Sequence, residues 1–233
     1  MITLLQNEEN LIGSQEAIDE LKTLNHARIL TISDSHGNYN LLIKIVRKFG
    51  PSCNALIFCG DGARDIAELL ELADENEEFR KCIPQVIAFV RGNGDPSTVP
   101  VSFDIGKNNK HAVFLYKGSV VVPLMQTLTV NSHTILISHG HYQGVDFGYE
   151  NLMSEMQIHD ASYAVHGHTH VACVEHQDNY TFINPGSISR PRAAQPPCFA
   201  ILTVEKTFID AAFLKISGSH STEPDYSLYN PIY

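Results

Sequence analysis

The chain has 233 residues, 43% of them hydrophobic and 18% charged, and its formal net charge is −10. That much apolar material buries a sizeable core and excludes wholesale disorder. Sixteen basic against 26 acidic residues, with no Lys/Arg cluster, argue against a nucleic-acid duplex as partner. No apolar run approaches the roughly 18 residues needed to cross a bilayer. The opening MITLLQNEEN lacks the basic-then-apolar order of a secretory signal. Five cysteines, an odd number without a CxxC pair, suggest free thiols in a reducing compartment. These features predict a cytoplasmic protein with no membrane partner.

Residues 1–26 read as an N-terminal extension with a helix over Ser14–Leu24, where Ile18, Leu21 and Leu24 share one side. From Ala27 on, short β-rich runs end repeatedly in polar clusters. Ala27–Ser33 leads into Asp34-Ser35-His36-Gly37-Asn38, Ala55–Cys59 into Gly60-Asp61-Gly62, and Gln85–Val90 into Arg91-Gly92-Asn93-Gly94-Asp95. Further on, Thr134–Ile137 leads into Ser138-His139-Gly140-His141, and Ser162–Val165 into His166-Gly167-His168-Thr169-His170. Apolar runs of this length, bounded by Gly and polar residues, predict buried strands.

Helical spacing separates the first three. Leu42, Ile45, Val46 and Phe49 recur at i, i+3, i+4, i+7, and so do Ile66, Leu69, Leu70 and Ala73. The alternation predicts βαβ units, whose functional groups gather beyond the carboxyl ends of the strands. The second half reads as Val120–Thr129, a helix over Glu150–Met156, then Ala172–Val174, Tyr180–Ile183, Phe199–Val204 and Phe208–Ile216. An α/β sandwich of two sheets with helices outside fits this pattern. The stretch Asp95–Lys117 reads as a pocket-lining loop, residues 27–217 as one domain, and 218–233 as a peripheral tail.

Twelve histidines are unusual, and several sit in those clusters. Asp34, His36, Asp61, Asn93, His139, His168 and His170 bring carboxylate, carboxamide and imidazole groups from five strand ends. Gathered at one rim without a cation, the carboxylates would repel and the buried polar groups would lack partners. Two divalent cations resolve this. They offset two aspartates and a bridging hydroxide and leave the rim net positive, so an acidic protein can still attract a phosphate. Mixed oxygen and imidazole donors suit Mn, Fe, Ni, Co or Zn better than Ca or Mg, and Mn is the first expectation. His166, at the strand terminus, is expected to point into the structure, and Cys59 to be a core thiol. No GxSxG nucleophile motif is present.

The ordered series DSHGN, GDG, GNGD, SHGH, GHTH and NPGS (Asn184–Ser187) resembles the calcineurin-like metallophosphoesterases, in particular their small bacterial and archaeal phosphodiesterase branch. The resemblance implies a four-layer αββα sandwich of two mixed sheets. It implies that Asp34, His36, Asp61 and His170 hold one metal and that Asp61, Asn93, His139 and His168 hold the other. The implied activity is hydrolysis of small phosphodiesters, with monoesters as a second class, by attack of a metal-bridging hydroxide. Where many family members have GNHE, this chain has Gly92-Asn93-Gly94-Asp95. The general acid is therefore open between Asp95, His141 and a metal-bound water. Asn38, which opens a helix, and Arg91 are expected phosphate contacts. A homo-oligomer is compatible with the family pattern. The alternative is a scaffold, because a subunit of the retromer coat resembles this fold but binds protein partners through it.

Overall fold

A computed structural model describes residues 2–103, 118–218 and 223–231. The chain runs α1 (Gln15–Thr23), β1 (Ala27–Ile32), α2 (Tyr39–Phe49), β2 (Ala55–Phe58), α3 (Ala63–Glu75), a one-turn α4 (Glu77–Arg80) and β3 (Val86–Phe89). It continues through β4 (Thr98–Val101), β5 (Gly118–Val121), β6 (Met125–Val130), β7 (His133–Ser138), α5 (Glu150–Ile158) and β8 (Tyr163–Val165). The last strands are β9 (Cys173–Gln177), β10 (Tyr180–Asn184), β11 (Cys198–Val204), β12 (Ile209–Ser217) and β13 (Asp225–Tyr229).

One mixed sheet has the order β13-β12-β11-β1-β2-β3, with β1, β2 and β3 parallel and β11 antiparallel to β1. The other has the order β6-β7-β8-β10-β9, with β7, β8 and β10 parallel. Side chains on a strand alternate between its faces, and β1 shows the consequence. Leu30 and Ile32 face α2 and α3, joining Leu42, Ile45, Ile66 and Leu70 in the outer apolar layer. Ala27 and Ile29 face the other way, against Leu128, Ile135, Ile137, Val165 and Ile183 of the second sheet. A third layer, with Leu136, Ala164 and Phe182 under Leu152 and Met156 of α5, closes the far side. Three apolar layers between four layers of structure make the αββα sandwich.

The N-terminal residues belong to this body. Ser14 caps α1 by accepting from the Ala17 N–H at 3.1 Å, and Ile18 and Leu21 enter the inter-sheet layer. Ile12 exchanges two backbone hydrogen bonds with Ile87, at 2.9 and 2.8 Å, which covers the exposed edge of β3. At the other end, β13 pairs with β12, so part of the tail extends the first sheet.

Two expectations need correction. Val120–Thr129 is not one strand. It breaks at Val122-Pro123-Leu124, and β5 pairs with β4 while β6 joins the second sheet. Proline has no N–H to give a ladder, which ends the run there. The stretch from Asp95 is also not loop throughout, because Thr98–Val101 forms β4. Its residues 104–117, with His111, lie outside the described residues, as does His220 in the tail.

Candidate metal centre

The five polar clusters follow the carboxyl ends of β1, β2, β3, β7 and β8, all of which are parallel strands of the two sheets. The chain bends sharply to bring the side chains inward. Asp34, His36, Asp61, His168 and His170 all have left-handed backbones, with φ of 54°, 45°, 54°, 68° and 59°. Such conformations cost non-glycine residues of order 1–3 kcal/mol each when nothing compensates, and they concentrate at functional sites. Where the chains cross, small residues are required. A Cβ on Gly92 would lie 2.0 Å from Asp61 Oδ1, and one on Gly167 would lie 2.7 Å from Asp34 Oδ2.

One oxygen or ring nitrogen from each of Asp34, His36, Asp61 and His170 falls within 4.8 Å of the others. His170 Nε2 is 3.1 Å from Asp34 Oδ1 and 3.1 Å from His36 Nε2. Asp61 lies between two histidines: Oδ2 is 3.8 Å from His36 Nε2, and Oδ1 is 3.7 Å from His139 Nε2. Beyond His139 the ring of His168 follows at 5.2 Å between centroids, and its Nδ1 is 3.1 Å from Asn93 Oδ1. The seven groups named from the sequence thus form one continuous chain of contacts.

Their surroundings orient the rings. His139 Nδ1 donates to the Cys59 carbonyl at 2.6 Å, and His170 Nδ1 to the Arg190 carbonyl at 2.6 Å. Each ring then presents Nε2 to the cluster. His168 Nε2 donates to Asp146 at 2.8 Å, which turns Nδ1 toward Asn93. His139 Nε2 is buried without a hydrogen-bond partner among the described residues, and Asp34 Oδ1 is buried against the rings of His170 and His36, 3.1 and 3.8 Å away. An orphaned acceptor of this kind, beside two carboxylates, calls for positive charge. Burial opposes charge on Asp34, yet the hydrogen bond from His170, the nearby histidines and Ser33 hold its carboxyl below the usual range. Burial also opposes protonation of His170, and Asp34 outweighs it, raising that imidazole. The donors therefore fit divalent ions of the transition series, for which oxygen and imidazole are ordinary ligands.

The remaining candidates separate. Asp95 accepts from the backbone N–H groups of Gly62, Ala63 and Gly92 at 3.1, 2.9 and 2.9 Å, so it ties the start of α3 to its own loop. His141 has a buried Nδ1 without a partner among the described residues, and its ring is 5.3 Å from that of His139. Burial, then the charges of His139 and His168, lower its pKa, with Arg91 adding to the effect. The Arg91 backbone N–H donates to the Pro123 carbonyl at 2.9 Å. Asn38 lines a different cavity, of about 280 Å³, with Lys44, Ile188 and Ile216. His166 is fully buried, and burial depresses it to about 4.

Several supports were missed. Asp65 on α3 accepts from Ser35 Oγ and from the Gly37 N–H, holding the loop that carries Asp34 and His36. Asn184 of NPGS donates to the Gly167 carbonyl at 2.9 Å and to Thr169 Oγ1 at 3.0 Å, bracing GHTH. Ser187 donates to the Asp34 carbonyl at 2.8 Å. Arg190 and Arg192 line a cavity with His36, Asp61, Asn93, His168 and His170. The only signal for the two arginines was their position three and five residues after NPGS.

A four-layer sandwich carrying this ligand chain at its strand ends is matched by the calcineurin-like phosphoesterase superfamily domain over residues 28–207, and the protein belongs to that family. It is similar to the probable metallophosphoesterase YsnB of Bacillus subtilis, at 29% identity over 82% of this chain and 92% of that protein. It is also similar to the phosphodiesterase YfcE of Escherichia coli K12, at 26% identity over 75% of this chain and 86% of the other. Among solved structures, vacuolar protein sorting 29 of Cryptosporidium parvum shares the fold. Its TM-score is 0.57 at 15% identity, covering 88% of this chain and 98% of that one. No described helix is long and apolar enough to cross a membrane.

Proposed function

We propose that the protein hydrolyses small phosphodiesters, with phosphomonoesters as a second class, using two divalent ions. In this reading Asp34, His36, Asp61 and His170 hold one ion, and Asp61, Asn93, His139 and His168 hold the other. When bound, such a pair supplies Lewis acidity toward phosphoryl oxygens and lowers the pKa of water between the ions. The observation that carries the reading is the placement of Asp61, whose two oxygens face different histidines at 3.8 and 3.7 Å, as a shared ligand would. Asn93 contributes an oxygen without charge, which keeps the rim positive toward an anionic ester. The phosphodiesterase name of YfcE supports a diester substrate.

His141 is the better candidate to carry the leaving-group proton, because Nδ1 has no partner among the described residues while the Asp95 oxygens are engaged by three backbone amides. Arg91, which follows β3 at the same rim, is retained as a phosphate contact. Mn is the first choice of metal, and the five free thiols suit a reducing compartment such as the cytoplasm. The scaffold alternative draws on likeness of fold alone. The test is metal analysis and turnover of a generic diester, with each metal added back. Two ions per chain and metal-dependent hydrolysis are expected, with both lost in Asp61→Ala. A variant that keeps two ions and full turnover would overturn the assignment.

A further inference from the structure

The cavity lined by Arg190 and Arg192 has a volume of about 340 Å³ and shares His36 and Asp61 with a second cavity of about 330 Å³. The two differ in charge. The second is lined by Tyr39, Glu68, Asp65 and Asp95, with Arg64 as its basic residue. The first carries two arginines and no acid other than Asp61. Neither guanidinium has an ion pair among the described residues. Both line this cavity together with the rings of His36, His168 and His170.

An exposed arginine ordinarily wanders in solvent and binds nothing. Here the backbone beneath the pair is pinned. The Arg190 carbonyl accepts from His170 Nδ1 at 2.6 Å, and the Arg192 N–H donates to the His170 carbonyl at 3.1 Å. Three residues further on, Gln195 binds both the N–H and the carbonyl of Ala172, at 2.7 and 3.1 Å. Between these ties Ala193 and Ala194 take left-handed backbones, φ 52° and 57°, without a glycine to ease them. Strain of this kind persists only where the surrounding contacts enforce it. It turns the chain so that both arginines line the cavity.

Building on the phosphodiesterase reading, we infer that Arg190 and Arg192 bind a second anionic group of the substrate, a phosphate or carboxylate on one arm of the ester. Two loaded ions already leave the rim positive enough for the single charge of a diester. Two unpaired guanidiniums beside them are surplus for that charge and match a substrate that carries more. Guanidinium forks suit phosphate and carboxylate geometry. The polar cavity on the other side of Asp61 is left for the uncharged arm.

The test compares two p-nitrophenyl alkyl diesters that differ only in whether the alkyl arm ends in a phosphate or a hydroxyl. The wild-type protein is expected to favour the phosphorylated arm by tenfold or more in kcat/KM. In Arg190→Gln/Arg192→Gln, which keeps the main-chain bonds to His170, that ratio should collapse toward one. An equal loss on both esters, with the ratio kept, would overturn the inference. A binding measurement keeps it separate from the hydrolytic reading. Pyrophosphate titrated calorimetrically into metal-free protein should bind tenfold or more weakly to the double variant. Unchanged binding overturns the arginine site whatever the activity. Arginine-dependent binding in a protein that hydrolyses no ester upholds the site and defeats the hydrolytic reading.

Discussion

His139 donates through Nδ1 to the carbonyl of Cys59, 2.6 Å away, and so directs Nε2 toward Asp61 Oδ1 at 3.7 Å. One hydrogen bond thus ties the end of β7 to the end of β2 across the two sheets and selects the ring nitrogen offered to the cluster. On the proposed two-ion reading, His139→Ala should remove one ion and lower turnover by about ten- to a hundredfold, the loss typical of residues that support a metal site. Elemental analysis of the purified variant checks it. Two ions retained with wild-type turnover would contradict the assignment.

Gly92 offers a test by steric means alone. A methyl there would lie 2.0 Å from Asp61 Oδ1 and 2.5 Å from Asp61 N, whereas at Gly94 the nearest atom is 3.3 Å away. Gly92→Ala is expected to displace Asp61, lose metal and destabilise the fold by about 1–3 kcal/mol. Gly94→Ala should do much less. Thermal melts with and without added Mn compare the two, and equal behaviour would refute the crowding account.

Asp95→Asn distinguishes an anchor from an acid. The carboxamide keeps one acceptor and loses the other, so the loop before α3 should loosen at a cost of about 1 kcal/mol. Activity should fall by the same factor on a nitrophenyl ester and an alkyl diester. A loss confined to the poorer leaving group would return the proton to Asp95.

The thiols give a pH prediction. Burial pushes Cys173 and Cys198 up to about 12 and Cys59 well above its ordinary value, so their thiolates are scarce in the native protein. A disulfide reagent at pH 8 should modify the half-buried Cys82 first and leave these three unmodified until the protein unfolds. The sign for stability follows. The fold holds protons that the unfolded chain releases near pH 9, so these cysteines make stability fall as pH rises from about 9 toward 12. Urea midpoints at pH 8 and pH 10 in wild type and Cys198→Ala would measure it, and an identical decline in both would remove Cys198 as a source.

Much of the site was legible because its residues stand at strand ends, where apolar periodicity stops abruptly. Asp34, Asp61 and His139 each follow a run of buried residues, and a βαβ reading already places such positions on one rim. Asp65 was hidden among the acids of α3, which helical spacing marks as an ordinary solvated face. Its burial arises because the loop at Ser35–Gly37 folds over it. Asp146 and Gln195 had no pattern at all. Their partners, His168 and Ala172, are 22 and 23 residues away, and only the folded backbone closes such gaps.

Local pattern determined the strands, the helices, the two-faced burial of β1 and the order of the polar clusters, since these depend on neighbours within a few residues. Tertiary structure decided the pairing of β11 beside β1, the break at Pro123, and the commitment of Asp95 to backbone amides. It also decided the placement of Arg190 and Arg192 beside His36 and His170. Those outcomes depend on which distant groups meet, and a side chain's role there follows from the partners left to it once the backbone has been satisfied.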